Sequence, residues 1–243
     1  MDWQENLISF IYPRRCPVCD AIVRPRGELI CPECRALLSF VREPVCKKCG
    51  KELSDPGQEY CLDCSRHSRS YEYGMSLLNY TGAATDSIAR IKYHNRREYL
   101  DYYAAEAVRQ CGSRIRAVAP DALVPVPVHP ARRRKRGFNQ AEILADRIGE
   151  KMGIPVVPDL LVRNRKTVPN KNLSPTERLK NLTAAFSVND RVYGEMIREG
   201  LRRVVIVDDI YTTGATVEAC ARVLRRAGIE KAWFFTIGIG VGS

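Results

Sequence analysis

The chain predicts an α/β fold, a parallel-sheet core with flanking helices, preceded by a small metal-stapled module. Three observations carry this. Val204-Val205-Ile206-Val207 is a run of four β-branched apolar residues, the composition of a strand buried on both faces inside a parallel sheet. Asp208-Asp209 follows at once, past the expected end of that strand, then a turn of small and hydroxyl residues from Thr212 to Thr216, then a helix pattern over 217–227 ended by Gly228. Four Cys-x-x-Cys pairs crowd the first quarter of the chain.

In order along the chain, Trp3, Leu7, Phe10 and Ile11 fit one face of a short helix that ends before Pro13. This start has no basic n-region and no A-x-A-like cleavage site, so no signal peptide is expected. No apolar run approaches the roughly 18–20 residues that span a membrane. These features predict a cytoplasmic protein without a membrane span, and its ten cysteines then need an explanation other than disulfides.

That explanation is metal. The pairs Cys16/Cys19, Cys31/Cys34, Cys46/Cys49 and Cys61/Cys64 repeat every 15 residues. A two-residue gap lets both thiolates of a knuckle reach one ion, and two knuckles complete a tetrahedral site. All-sulfur tetrahedral sites favour zinc, and the spacing is not that of a ferredoxin. Two structural zinc ions are expected. Sequential pairing groups Cys16, Cys19, Cys31 and Cys34 apart from Cys46, Cys49, Cys61 and Cys64; equal spacing also permits an interleaved cross-brace. His67 is surplus to a complete cysteine count, and Cys111 and Cys220, alone on predicted helices, read as buried thiols.

Charge adds one constraint. There are 39 Lys+Arg against 28 Asp+Glu, and the first 70 residues are nearly balanced, so the basic excess lies C-terminal to the module. A polyanionic substrate and a nucleic acid both fit that excess.

Beyond the module, residues 71–80 read as a strand broken at Thr81-Gly82, followed by helices over 84–93 and 96–110. Ala122-Leu123-Val124 is a buried strand that Pro125-Val126-Pro127-Val128-His129-Pro130 stops. Arg132 to Arg136, five basic residues, read as a loop before a helix that starts near Asn139. The loop suits a nucleic-acid backbone or a pyrophosphate, since guanidinium groups meet either. Leu161 to Thr167 begins a mobile basic segment, and Ser174-Pro175-Thr176-Glu177 is a capping box that opens a helix. A short strand at Phe186 to Val188, a polar excursion over 190–202 and a last strand at Ala232 to Ile239 complete the chain. At the centre, Thr212–Thr216 offers backbone N–H groups, hydroxyls and a helix N-terminus to an anion.

VDDIYTTGAT resembles the 5-phosphoribosyl-1-pyrophosphate (PRPP) motif of type I phosphoribosyltransferases. With the cysteine pairs, PVPVHP and RRRKRGFNQAEILA in the same order, nearly the whole chain is similar to the ComF family. That resemblance implies a helix and double zinc ribbon over 1–69 and a type I phosphoribosyltransferase fold over 70–243. It implies that Asp208 and Asp209 bind ribose, and that Thr212, Thr213, Gly214, Ala215 and Thr216 bind the 5′-phosphate. Val126, Pro127, Val128, His129, Arg132 and Arg133 would meet the pyrophosphate, with Arg136, Gly137, Asn139 and Gln140 lining the site. Arg163 and Lys166 would belong to a flexible catalytic loop, in which Asn170 and Asn172 depart from the glutamine and glycine of the family pattern. Magnesium would arrive with PRPP. The family also implies a part in DNA uptake during natural transformation, with single-stranded DNA and a DNA-uptake helicase as partners. Two functions follow. One is phosphoribosyl transfer to a nitrogen acceptor, for which no general base is evident; the other is a non-catalytic DNA-binding or adaptor role with a regulatory or vestigial PRPP pocket.

Overall fold

The computed structural model describes residues 13–164 and 175–241. The expected helix over 3–11 lies outside them, as do Lys166, Asn170, Asn172 and Ser174. Within the cysteine-rich segment, α1 (Pro32–Arg35) and α2 (Leu62–Arg66) are single turns started at a knuckle by Cys31 and Cys61. Then follow β1 (Gly74–Asn79), α3 (Gly82–His94), α4 (Tyr99–Ala117), β2 (Ala122–Pro125), α5 (Pro130–Arg136), α6 (Gln140–Met152) and β3 (Leu161–Arg163). The chain closes with α7 (Pro175–Thr183), β4 (Phe186–Val188), α8 (Asp190–Arg198), β5 (Arg203–Tyr211), α9 (Ala215–Ala227) and β6 (Lys231–Ile239).

The main sheet is parallel, in the order β1-β6-β5-β2. Val156 adds one parallel bridge to Leu123, outside β2. Along β5, Val204 and Ile206 pack with Val217, Ala221 and Leu224 of α9, whereas Val205 and Val207 pack with Leu144 and Ile148 of α6 and with α4. Side chains alternate faces along a strand, so a continuous apolar run needs helices on both sides, and both are present. Leu144 is fully buried, and its truncation to alanine would cost about 2–5 kcal/mol. From β5 the chain steps through α9 to β6 on one side; from β2 it steps through α6 to Val156 on the other. Such a reversal opens a crevice at the carboxyl ends of the strands, here between β2 and β5.

Both ribbons pack onto this core. The first adds an antiparallel bridge, Phe40 to Leu78, along the edge of β1, where the Val41 N–H donates to Leu77 O (3.1 Å) and the Asn79 N–H to Ser39 O (2.7 Å). That covers a sheet edge that would otherwise offer unpaired backbone groups. Cys16, Val23, Ile30 and Leu38 join the apolar cluster of Met75 and Tyr103. The second ribbon packs on the other cluster, with Cys46, Cys49 and Cys61 beside Tyr71, Tyr211 and Phe234.

Four local expectations are revised. The Arg132–Arg136 loop is helix α5, because Pro130 pre-sets the first turn and His129 caps it, Nδ1 accepting from the Ala131 N–H at 3.1 Å. The polar excursion is α8, whose Val192, Tyr193, Met196 and Ile197 form one helical stripe against the α9 cluster. Leu161–Arg163, expected to begin a mobile segment, is paired antiparallel with Phe186–Val188. The fourth concerns β5 and belongs to the site.

Candidate functional site

Strand β5 does not end before its aspartates, as the sequence leads one to expect. It runs on to Tyr211 because β6 is equally long, and the ladder continues through Asp208↔Thr236 to Tyr211↔Ile239. Both carboxylates are therefore inside a strand and buried, 8% and 5% exposed. The pleat turns them to opposite faces.

Asp209 faces α3 and α6. Lys92, in the last turn of α3, forms an ion pair with it, and Gln140 Nε2 donates to its Oδ1 at 3.4 Å. Gln140 Oε1 accepts in turn from Arg136, whose guanidinium lies 5.9 Å from the centre of the Tyr93 ring. Asp208 Oδ1 accepts from the Asp209 N–H at 2.9 Å. Burial, and then the charge of Asp209, raise the Asp208 carboxyl well above its ordinary value, with Lys92 pulling the other way. Arg163 of β3 packs 5.2 Å over the Phe186 ring; burial and the nearby Arg132 hold its pKa down, while the charge of Asp208 pulls the other way. The site is an acidic pair hemmed by cations.

The turn after β5 is short. Thr212 and Thr213 are exposed, and Gly214 is the helix cap at φ 72°. A Cβ on Gly214 would fall on the Tyr211 ring, so glycine is required there for shape as well as for backbone sign. Helix α9 begins at Ala215, which puts Ala215 and Thr216 in a first turn whose N–H groups have no intrahelical acceptor.

From β2, the buried Val126 N–H donates to Val207 O at 2.8 Å, tying the two strand ends together. Pro127, Val128 and His129 are half-buried, and Arg132 to Lys135 are exposed on α5, with Arg133 turned to Glu142 at 3.2 Å. Asn139 is committed to architecture. Its Oδ1 accepts from the Ala141 N–H (3.2 Å) as the cap of α6, and its Nδ2 donates to Val126 O (3.1 Å). The structure thus gathers Asp208, Asp209, Arg136, Gln140, Arg163 and the Gly214 turn around one crevice. Arg133 points out of it, and Lys166 lies outside the described residues.

The cysteines form two quartets, Cys16/Cys19/Cys31/Cys34 and Cys46/Cys49/Cys61/Cys64, each with its sulfurs within 4.8 Å of one another. Sequential pairing is the arrangement found. Four thiolates about 2.3 Å from one zinc would stand about 3.8 Å apart, and Cys49 Sγ lies 3.7 Å from Cys61 Sγ. In each quartet one thiol is brought down while neighbouring thiols, Cys31 and Cys34 in the first and Cys49 and Cys64 in the second, are pushed up. Burial pushes the Cys16 thiol up, but N–H groups of Cys19, Cys31 and Val18 outweigh it and bring it down to about 7. In the second quartet, hydrogen bonds from Cys49 and Cys64 drive Cys46 down while those with Cys46 and Cys64 drive Cys49 up, a competition that a divalent ion resolves. His67 sits beside Asp63 at 3.2 Å, outside the quartet.

Residues 7–65 match the family described as Double zinc ribbon domain. Competence protein F of Haemophilus influenzae is 32% identical over 152 residues, covering 59% of this chain and 62% of that protein. DNA utilization protein YhgH of Salmonella typhi is 31% identical over 157 residues, 63% of this chain and 66% of that one. Competence protein ComFC of Bacillus subtilis is 28% identical over 166 residues, 67% and 62%. The chain belongs to the ComF family. It spans a little under two thirds of the length of these relatives. In this ComF-family chain the two quartets are zinc sites, and a parallel-sheet core stands behind them. No helix among the described residues is long and apolar enough to cross a membrane.

Lys92 and Tyr93 carry no signal of the site in this ComF-family sequence. Lys92 sits beside the apolar positions Ile88 and Ile91 of an ordinary amphipathic helix, and nothing in that period says which strand end its C-terminus will meet.

Proposed function

We propose that the crevice between β2 and β5 binds PRPP together with Mg²⁺, and that the protein serves DNA uptake. The observation that carries this is the buried pair Asp208 and Asp209, directly before the left-handed Gly214 turn that opens α9. A ribose diol calls for charged acceptors, and a 5′-phosphate calls for convergent N–H donors free of side-chain bulk. Asp208 and Asp209 would take the hydroxyls, Thr212 to Thr216 the 5′-phosphate, and Arg136, with the Val126–Arg132 stretch, the pyrophosphate. Lys92 joins them as a cation between the carboxylates and the incoming diphosphate. Mg²⁺ would supply further charge neutralisation on the diphosphate.

In a transfer reaction the bond from ribose C1 to the pyrophosphate oxygen breaks, and a bond from C1 to a nitrogen of the acceptor forms on the opposite face. The acceptor loses its proton to solvent and pyrophosphate leaves with the electron pair. The protein's part is to position and to neutralise charge, for which Arg163 and Arg136 are placed. Calorimetric titration with Mg²⁺·PRPP, followed by an assay of pyrophosphate release with candidate acceptors, tests both halves. A wild-type chain that binds no PRPP at millimolar concentration would falsify the proposal.

A second reading is favoured by the names of the relatives and by the exposed face of Arg132, Arg134 and Lys135 on α5. On it the protein handles single-stranded DNA, alone or with a helicase, and PRPP regulates it or is unused. Titration of single-stranded oligonucleotides at several salt concentrations tests this. Affinity should fall steeply as salt rises, and binding that ignores ionic strength counts against it.

A further inference from the structure

We infer that the second zinc ribbon sets the shape of the phosphate turn from behind, through a three-residue strap, Arg69-Ser70-Tyr71. The inference rests on the reading of Thr212–Thr216 as the 5′-phosphate turn.

Each residue of the strap holds a different part of the turn. Arg69 is ion-paired to Asp63 of α2, the helix that carries the zinc ligand Cys64, and its guanidinium donates to Thr213 O at 3.5 Å. Ser70 donates twice to the Glu218 carboxylate, from its backbone N–H at 2.8 Å and from Oγ at 2.9 Å. Tyr71 shares a hydrogen bond between hydroxyls with Tyr211 at 2.9 Å. Tyr211 is stacked on Phe234 at 4.9 Å, Tyr71 meets the same ring edge-on, and the Tyr211 ring backs Gly214. The strap is anchored from the ribbon side. The Gly74 N–H donates to Lys48 O at 2.9 Å, the Lys48 ammonium lies 5.5 Å from the centre of the Tyr71 ring, and Gly50 packs so closely that a Cβ there would stand 2.5 Å from Gly74 O.

Glu218 makes the arrangement more than a brace. It is a fully buried carboxylate in the first turn of α9, where the helix would otherwise present its positive end to an anion. Left alone, its charge would repel a bound phosphate. Here its oxygens are engaged by Ser70 and by Arg222 Nε at 2.6 Å, so its charge is held and directed away from the turn. The first ribbon has no such link to this turn among the described residues; its side-chain partners are Asp101, Arg96, Tyr99 and Glu106, at or beside α4, with Arg90 of α3 and Asn79 of β1.

The test is a Ser70→Ala/Tyr71→Phe double variant, which leaves all eight zinc ligands in place. Hydrogen exchange is followed at residues 211–218, and binding of ribose 5-phosphate and of inorganic diphosphate is measured separately by calorimetry. Exchange over 212–217 should accelerate at least about tenfold and ribose 5-phosphate affinity should fall about tenfold, with diphosphate binding and zinc content unchanged. Ser70→Thr, which keeps both donors, should restore wild-type exchange. Cys61→Ser should reproduce the accelerated exchange, and Cys31→Ser should not. Unchanged exchange in the double variant overturns the inference, as does an equal loss of both ligands. Because exchange is read without ligand, a wild-type chain that binds neither compound refutes the PRPP reading alone, and the exchange result still decides the coupling.

Discussion

The two zinc ribbons have the same ligands at the same spacing, and they do different mechanical work. The first lies along the free edge of β1 and against α4, where Cys16 and Leu38 extend the core and Arg35 pairs with Glu106 at 2.8 Å. The second stands behind the turn that follows β5, where Cys46 and Cys49 share a cluster with Tyr71, Tyr211 and Phe234. Equal spacing dictates the metal and the knuckle. What a ribbon contributes beyond its own fold depends on which surface its outer residues meet.

Removing one ligand from each ribbon puts the largest strain on this comparison. Cys31→Ser and Cys61→Ser should each lower zinc from about two ions per chain to about one, by metal analysis. Only Cys61→Ser should also cost PRPP affinity, by about a hundredfold, while Cys31→Ser stays within about threefold. Equal losses would erase the distinction.

Asp208→Asn separates the site from both ribbons. PRPP affinity should fall about 10–100-fold, the scale of hydrogen bonds to a charged group, with both zinc ions retained. Stability should move the other way. Burial and the charge of Asp209 raise this carboxyl, so the folded chain keeps its proton where the unfolded chain has released it. Stability from this group is present near its ordinary value of 3.8 and is lost as pH rises toward the raised one. The asparagine variant should therefore melt above wild type at about pH 7–8, and the gap should close as pH falls to about 4. A gap that widens on acidification would contradict the burial argument.

Two glycines compare the ribbons more gently. Gly27 in the first and Gly50 in the second both have left-handed backbones, φ 94° and 75°. Nothing stands within 4 Å of a Cβ on Gly27, so Gly27→Ala should cost about 1–2 kcal/mol for backbone sign alone. Gly50→Ala adds a collision with Gly74 O, so denaturant melts should show a larger loss for it. The smallest effect is expected on α5. Replacing exposed Arg134 and Lys135 by glutamate should leave stability within about 0.5 kcal/mol, while flattening the salt dependence of any oligonucleotide binding by about one unit of slope for each phosphate no longer neutralised.

Much of the molecule is legible in the sequence because its cause is local. The apolar run of β5 announces a strand buried on both faces, Asn139 and Gly228 sit where α6 begins and α9 ends, and the cysteine pairs mark both quartets. Less visible are features whose cause is distant. Helix α8 is obscured because Asp190, Arg191, Gly194 and Glu195 dilute its apolar stripe, and the stripe finds its partner only in the distant cluster that includes α9. The length of β5 is hidden because two aspartates argue against a buried strand, and the equal reach of β6 keeps their backbone paired.

The sequence by itself determined the metal, the knuckles, the strand–turn–helix around Gly214 and the acidic pair before it. Each of these depends on residues a few positions apart, within reach of one ion, one turn or one pleat. Tertiary structure alone decided that Lys92 meets Asp209, that Arg163 packs over Phe186, and that Ser70 and Tyr71 reach Glu218 and Tyr211. The first and last of those are joined by the parallel crossovers of the sheet, which bring distant segments to one end of the strands. No periodicity records such a meeting, because each partner satisfies its own helix or strand equally well without the other.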